Sequence, residues 1–193
     1  MEQQAFESQI KKEGASLGIY LGGISAALGI LMLYWLVSSS SFIVTSFGSI
    51  SMYVVLLIIT LLFCIRLRKS VGGYWTFKQA LIGIFVMLFI AWAISSAVSL
   101  LFEQFVEPGI QERLLMNVQN NTIVFMENQG MADDQIDKAT EQLDKAIEDA
   151  ANMTWGQRLK SYAIMIIITF VVAMIFATIF KRSKPMFAPI EEE

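Results

Sequence analysis

Histidine is absent from the 193 residues of this chain, and cysteine occurs once, at Cys64. Metal sites built from His and Cys, Ser–His–Asp and Cys–His catalytic groups, and disulfides within the chain are therefore excluded. Charge is also scarce, because only 16% of the residues are Asp, Glu, Lys or Arg, against about 25% in an average soluble domain. The net charge of −3 gives no reason to expect nucleic-acid binding, which needs a clustered basic surface. We expect neither a metal nor a cofactor.

Hydrophobic residues make up 55% of the chain and fall in long blocks. A helix needs about 20 apolar residues to cross the hydrocarbon core of a bilayer. Such blocks, without a charged residue in their central part, occupy residues 14–37, 42–65, 77–102 and 162–180. The first block is longer than the apolar core of a signal peptide, and no clear cleavage site follows it, so we interpret it as a retained span. The sequence therefore predicts an all-α membrane protein built on a bundle of four transmembrane helices.

Lys and Arg residues near the ends of these blocks predict the orientation of the spans. They precede the first span, occupy the link between spans two and three, and follow span four, whereas the link between spans one and two has none. These residues are Lys11, Lys12, Arg66, Arg68, Lys69, Lys78, Lys181, Arg182 and Lys184. Both termini should therefore face the cytoplasm, and we expect Arg66, Arg68 and Lys69 to meet lipid headgroups at the inner face.

An acidic insert separates span three from span four. It covers residues 103–159 and holds eleven acidic and four basic residues. Pro108 marks the point where span three ends or bends, since proline is poor inside a helix. Gly130 predicts a helix end and Asp133 a helix start, because they suit a left-handed cap and an N-cap. We expect an extracytoplasmic helical hairpin inserted between transmembrane helices 3 and 4, followed by a last-span segment at 160–180 and a cytoplasmic tail at 181–193.

The acidic helix of the insert does not fit a calcium-binding loop. Counted from Asp133, the position that needs Gly is Lys138, and the position that needs Glu is Asp144. Glu103 and Glu107 lie near the mouth of the bundle, but nothing in the sequence identifies a companion group for carboxylate catalysis. We therefore expect a solvated acidic face and no enzyme.

Small residues in spans one and three predict close helix packing. Gly18, Gly22 and Ala26 follow at four-residue spacing in the first span, and Ser95 and Ser99 do so in the third. Small residues let helix backbones approach closely in lipid. Two interpretations stay open, namely packing within one chain and packing against a second copy or a partner subunit. Under the second, replacing Gly18 and Gly22 with Leu abolishes partner association and leaves membrane insertion intact.

The order of these features resembles that of a known family. The link between spans two and three reads "RKSVGGYWTFKQAL", and span three leaves through "FVEPGIQERL". The insert contains "GMADDQIDKATEQLDKA", and the tail begins with "KRSKP". The chain resembles the DUF4199 family of four-span membrane proteins from Bacteroidetes-type bacteria. This resemblance implies a bacterial cytoplasmic (inner) membrane and a periplasmic insert, and it carries over no catalytic residue, because the function of the family is unknown.

The spans contain no charge in their centres, which argues against an ion-coupled transporter. Our first hypothesis is a non-enzymatic accessory or scaffold subunit that packs against itself or a membrane-protein partner. Outside the bilayer, it would use the hairpin and the exit from span three. The exit residues are Glu103, Glu107, Pro108 and Arg113.

Two alternatives remain. A small channel or lipid-handling carrier, formed by oligomerisation, would show a lateral groove for lipid or a polar lumen. That lumen would be lined by Ser95, Ser96, Ser99 and Thr169. A membrane enzyme acting on a lipid-linked substrate would use Glu103 or Glu107 as acid or base, in a pocket that joins these carboxylates to the bilayer.

Overall fold

The computed structural model describes residues 2–152 and 154–182. The α-helices found there are α1 (Glu2–Ser38), α2 (Phe42–Ser70), α3 (Phe77–Leu101), α4 (Ile110–Asn128), α5 (Asp133–Ala151) and α6 (Trp155–Phe180). Four of them, α1, α2, α3 and α6, are long and apolar enough to cross a membrane. The predicted all-α class and its four membrane-crossing helices are confirmed. Lys184 and the other tail residues from 183 onward lie outside the described residues.

Two of these helices begin earlier than the apolar pattern predicts. Helix α1 starts at Glu2 because the polar residues ahead of the first span are good helix formers. Helix α6 starts at Trp155 because Thr154 caps it. The Thr154 backbone N–H donates to Gln157 Oε1 at 2.7 Å, and the Gln157 backbone N–H donates to Thr154 Oγ1 at 3.4 Å. This reciprocal pair is a capping box.

The chain divides into two compact units, and each spanning helix contributes residues to both. Unit 1 comprises the described residues of Met1–Gly23, Ile58–Ile94 and Met165–Glu193. Its core is apolar and includes Ile10, Leu21, Cys64, Leu67, Ile84, Met87 and Phe176. Unit 2 comprises the described residues of Ile24–Leu57 and Ser95–Ile164, and so holds those of the acidic insert.

In unit 1, the glycines of α1 pack directly against α3. A Cβ atom added to Gly18 would lie 2.7 Å from the Met87 carbonyl oxygen. One added to Gly22 would lie 2.9 Å from Ile94 Cβ. Real Cβ atoms do not approach other atoms so closely, so these contacts require glycine. Gly18 and Gly22 therefore pack within one chain and not against a second copy or a partner subunit. Helix α3 already covers the face of α1 that they form.

In unit 2, α3 ends in a single π-helical turn, Phe102–Val106. The Glu107 backbone N–H donates to the Phe102 carbonyl at 3.0 Å, which closes this wider turn. Pro108 then stops the helix, and Gly109 turns the chain into α4 with φ of 80°. The third span therefore ends at the Pro-Gly pair, as the sequence predicts.

The turn between α4 and α5 is built by Gly130, whose φ is 70°. Its N–H donates to the Glu127 carbonyl at 2.9 Å, and the Met131 N–H donates to the Met126 carbonyl at 3.2 Å, the bonds of a Schellman motif. Asp133 is not the N-cap of α5, since Ala132 occupies that position without a side-chain hydrogen bond. Asp133 instead lies in the first turn, where a carboxylate interacts favourably with the helix dipole.

Candidate functional sites in each unit

The exit from the third span is organised around Glu107. The Tyr34 hydroxyl donates to Glu107 Oε2 at 3.3 Å, and Arg113 Nη2 donates to Glu107 Oε1. The ring of Tyr34 packs edge-on against Phe102, with 5.9 Å between ring centroids. Glu107 thus joins α1 to the start of α4 within unit 2.

These donors hold Glu107 in its charged form. The hydrogen bond from Arg113 lowers the pKa of the Glu107 carboxyl below its ordinary value of 4.5, against a smaller opposing effect of burial, and the Arg113 charge and the Tyr34 hydroxyl add to the lowering. A general acid working near neutral pH needs a raised pKa instead. The geometry therefore suits Glu107 to an ion pair that connects helices better than to proton donation.

Glu103 has different neighbours from Glu107. It lines a cavity of about 450 Å³ beside the end of α3, together with Leu100, Gln104, Pro108, Gly109 and Arg158. Of the four predicted exit residues, the structure brings Glu107 together with Arg113, and Glu103 together with Pro108. The two carboxylates do not share this cavity.

Two asparagines of α4 bind the chain at the end of α1, an arrangement that sequence reasoning missed. Asn117 Nδ2 donates to the carbonyl oxygens of Leu36 and Ser39, at 2.6 and 2.8 Å. Asn121 Nδ2 donates to the same Ser39 carbonyl at 2.9 Å, and Asn121 is only 7% exposed. The last carbonyls of a helix lack partners within it, so α4 satisfies groups that α1 leaves open.

The four-residue spacing of these asparagines is the signal in the sequence that indicates a shared docking face. Residues i and i+4 share one face of a helix, and the same stretch of α4 carries Phe125. Its ring stacks on Phe42 at the start of α2, with centroids 4.6 Å apart. A polar pair beside an aromatic residue on one helix face indicates a docking surface, but the sequence alone does not say which carbonyls it meets.

In unit 1, the link between α2 and α3 is tied to the residues that follow α6. Trp75 and Arg182 exchange two backbone hydrogen bonds. The Trp75 N–H donates to the Arg182 carbonyl at 2.9 Å, and the Arg182 N–H donates to the Trp75 carbonyl at 3.2 Å. Trp75 Nε1 also donates to the Phe180 carbonyl at 2.8 Å, and Trp75 is 2% exposed. Gly72 and Gly73, with φ of 94° and 80°, provide the turn that makes this approach possible.

A cavity of about 450 Å³ opens beside Trp75. Its lining residues are Phe6, Val71, Gly72, Tyr74, Trp75, Thr76, Gln79 and Arg182. The guanidinium of Arg182 lies over the ring of Tyr74, 5.5 Å from its centroid, a cation–π contact. The predicted headgroup residues Arg66, Arg68 and Lys69 lie on the last turns of α2 and do not line this cavity.

The remaining predicted residues differ in burial and in hydrogen bonding. Ala26 is buried, with 2% of its surface exposed, while Ser95, Ser96 and Ser99 are half-buried. The Thr169 hydroxyl donates to the Met165 carbonyl on its own helix at 2.8 Å. This local bond is common for hydroxyls in membrane helices.

Four apolar helices of membrane-crossing length define a multi-pass integral membrane protein. The sequence model of the family described as "Protein of unknown function (DUF4199)" matches residues 16–182, which is most of the chain. The chain belongs to this family, as its motif order predicts. Comparisons with curated proteins and with solved structures give no match.

Proposed function

We propose that this protein is a non-enzymatic accessory subunit of a complex in the bacterial cytoplasmic membrane. Its four spans anchor it in the bilayer, and the acidic helix α5 is presented on the outer side to a partner with a basic surface. The observation that carries this proposal is the attachment of α4 to Ser39, between α1 and α2, through Asn117 and Asn121. Because these bonds hold α4 in place, α4 supports the neighbouring helix α5 as a docking surface.

Helix α5 has the exposure expected of a docking element. Ile136, Leu143 and Ile147 are half-buried, whereas Asp137 and Glu141 are exposed. Gln119 of α4 donates to Asp144 of α5 at 2.7 Å, which links the two helices. Asp134 pairs with Lys138 on the same helix at 3.8 Å, whereas Asp137 and Glu141 form no ion pair within the described residues and can pair with another protein.

The experiment is purification of the tagged protein in a gentle detergent, followed by mass spectrometry of what accompanies it. The variant Asp137→Asn/Glu141→Gln removes two exposed charges from α5. Glu112→Gln/Glu127→Gln removes two exposed charges from α4 and serves as the matched control. We expect a stoichiometric membrane partner with the wild type and the control, and several-fold less of it with the α5 variant.

Two results would count against this proposal. Isolation of the wild-type protein without any partner would remove the basis for an accessory role. Equal recovery of a partner with both variants would mean that α5 is not the element that binds it.

One observation favours a second candidate, a lipid-handling carrier. In unit 2, a groove of about 390 Å³ lies between α1 and α2. Its lining is almost wholly apolar and consists of Leu31, Met32, Trp35, Gly48, Ser51, Met52 and Val55. A groove between two membrane-crossing helices has the chemistry of an acyl-chain site.

Transfer of a fluorescent phospholipid between two vesicle populations tests this second candidate. A carrier would speed transfer when the purified protein is added. Gly48→Leu would abolish that gain by displacing Trp35 from the groove wall, because a Cβ atom added at Gly48 would overlap the Trp35 ring. Gly29→Leu is the control, because an added Cβ at Gly29 meets no atom within 4 Å. A transfer rate unchanged by the wild-type protein would eliminate the carrier.

A further inference from the structure

We propose that the cavity beside Trp75 in unit 1 binds the phosphate group of a membrane phospholipid with an anionic headgroup. This inference is independent of the accessory role, since it uses neither the acidic insert nor a protein partner. The cavity differs from a basic surface that attracts lipids generally, because it combines a charged donor, neutral donors and an apolar wall in one place.

Arg182 supplies the charge of this site. Among the described residues no carboxylate forms an ion pair with its guanidinium, which lies instead over the Tyr74 ring. A guanidinium whose charge lies over an aromatic ring makes no hydrogen bond to that ring plane, so its N–H groups remain available for phosphate oxygens. The Arg182 backbone is fixed by its two hydrogen bonds to Trp75, so the side chain starts from a defined position.

Gln79 and Tyr74 add neutral donors. The Gln79 side-chain oxygen accepts the Thr76 backbone N–H at 2.8 Å, which fixes the amide while its NH₂ group keeps no partner in the described part of the chain. The Tyr74 hydroxyl likewise makes no hydrogen bond there. Both residues line the cavity, so the same lining offers a phosphate held by Arg182 two further hydrogen-bond donors, the Gln79 NH₂ group and the Tyr74 hydroxyl.

The location and the apolar wall favour a lipid over a soluble phosphate. Five of the lining residues lie in the link 71–76, which joins one membrane-crossing helix to the next, and Arg182 follows another such helix by two residues. The cavity therefore lies where apolar spans end, at the depth of lipid headgroups. Phe6, Val71 and Trp75 provide carbon surface that the glycerol and the first acyl carbons of a lipid cover and a free anion does not.

The test is native mass spectrometry of the full chain titrated separately with phosphatidylglycerol and with phosphatidylcholine. We expect a preference for phosphatidylglycerol that Arg182→Gln reduces roughly tenfold or more, because a hydrogen bond to a charged group is lost. Lys181→Gln makes the same charge change next to the site without touching its lining, and it should reduce the preference only about twofold. Arg182→Gln leaves the backbone bonds to Trp75 available, so the fold should persist.

A second pair of variants locates the lipid in the cavity. Tyr74→Phe keeps the ring beneath Arg182 and should keep most of the preference, whereas Tyr74→Leu removes the ring and should lose it about as Arg182→Gln does. Equal effects of Arg182→Gln and Lys181→Gln would overturn the proposal in favour of surface attraction. Displacement of the lipid by equimolar glycerol 1-phosphate would overturn it in favour of a soluble anion.

Discussion

Gly18 packs against α3 without room for a side chain. Replacing it with Ala places a Cβ atom 2.7 Å from a backbone oxygen of Met87, and backbone moves less readily than a flexible side chain. Overpacking of a well-packed contact costs about 1–3 kcal/mol, more than the roughly 1 kcal/mol that Ala gains over Gly in a helix. We therefore expect Gly18→Ala to lower the unfolding midpoint in detergent.

Gly23 is the control for this substitution. It lies on the same helix, and a Cβ atom added there meets nothing within 4 Å. Gly23→Ala should leave the midpoint unchanged or raise it slightly. A loss of stability as large as that of Gly18→Ala would mean that the cost arises within α1 and not from its contact with α3.

Glu107 makes the stability of the protein depend on pH, and its contact with Arg113 sets the direction of this dependence. Its pKa in the folded protein lies below the ordinary value of 4.5, chiefly because Arg113 donates a hydrogen bond to the carboxylate. The stabilisation is then fully present above pH 4.5 and is lost as the pH falls through the lowered value. We expect Glu107→Gln to unfold more readily than the wild type at pH 7, and the difference between them to shrink on acidification below 4.5.

Thermal unfolding of both proteins across this pH range measures the effect. Glu112→Gln changes an exposed carboxylate immediately before Arg113 and should follow the wild-type curve at every pH. A constant difference between wild type and Glu107→Gln would show that the ionised carboxylate does not contribute.

At the scale of elements, α4 is held to the end of α1 by Asn121. Asn121→Asp removes the donor and brings a negative charge to the Ser39 carbonyl oxygen, at a residue that is only 7% exposed. The loss of such a buried bond costs about 1–3 kcal/mol. We expect faster hydrogen exchange of the amides at residues 36–42 in this variant. Asn120→Asp, an exposed neighbour, is the control, and equal exchange in both variants would contradict the role given to Asn121.

The elements also show what a sequence of this kind predicts and what it does not. The lengths of the apolar blocks identify the spans, and Gly130 identifies the end of α4, because both signals are local. The bonds of Asn121 to Ser39 and of Trp75 to Arg182 join residues far apart in the chain. No spacing rule pairs such residues, so the cavity beside Trp75 was not predictable from the sequence.

At the scale of the whole molecule, the distribution of charge predicts how the chain lies in the membrane. Three basic segments should face the cytoplasm. Contacts within unit 1 bring residues of all three together: Lys78 Nζ lies 3.9 Å from Glu7 Oε1, and Trp75 pairs with Arg182. The segments therefore meet at one place, as a shared side of the membrane requires.

Cys64 makes this orientation simple to measure, because it is buried and is the only cysteine of the chain. In a Cys64→Ala background, a single new cysteine reports its side through a maleimide that does not cross membranes. Asp137→Cys on α5 should react in intact spheroplasts, and Lys12→Cys on α1 should react only after lysis. The reverse pattern would place the acidic insert in the cytoplasm and would remove the outer-side docking on which the accessory role depends. It would leave the phosphate site beside Trp75 intact but assign it to the opposite leaflet.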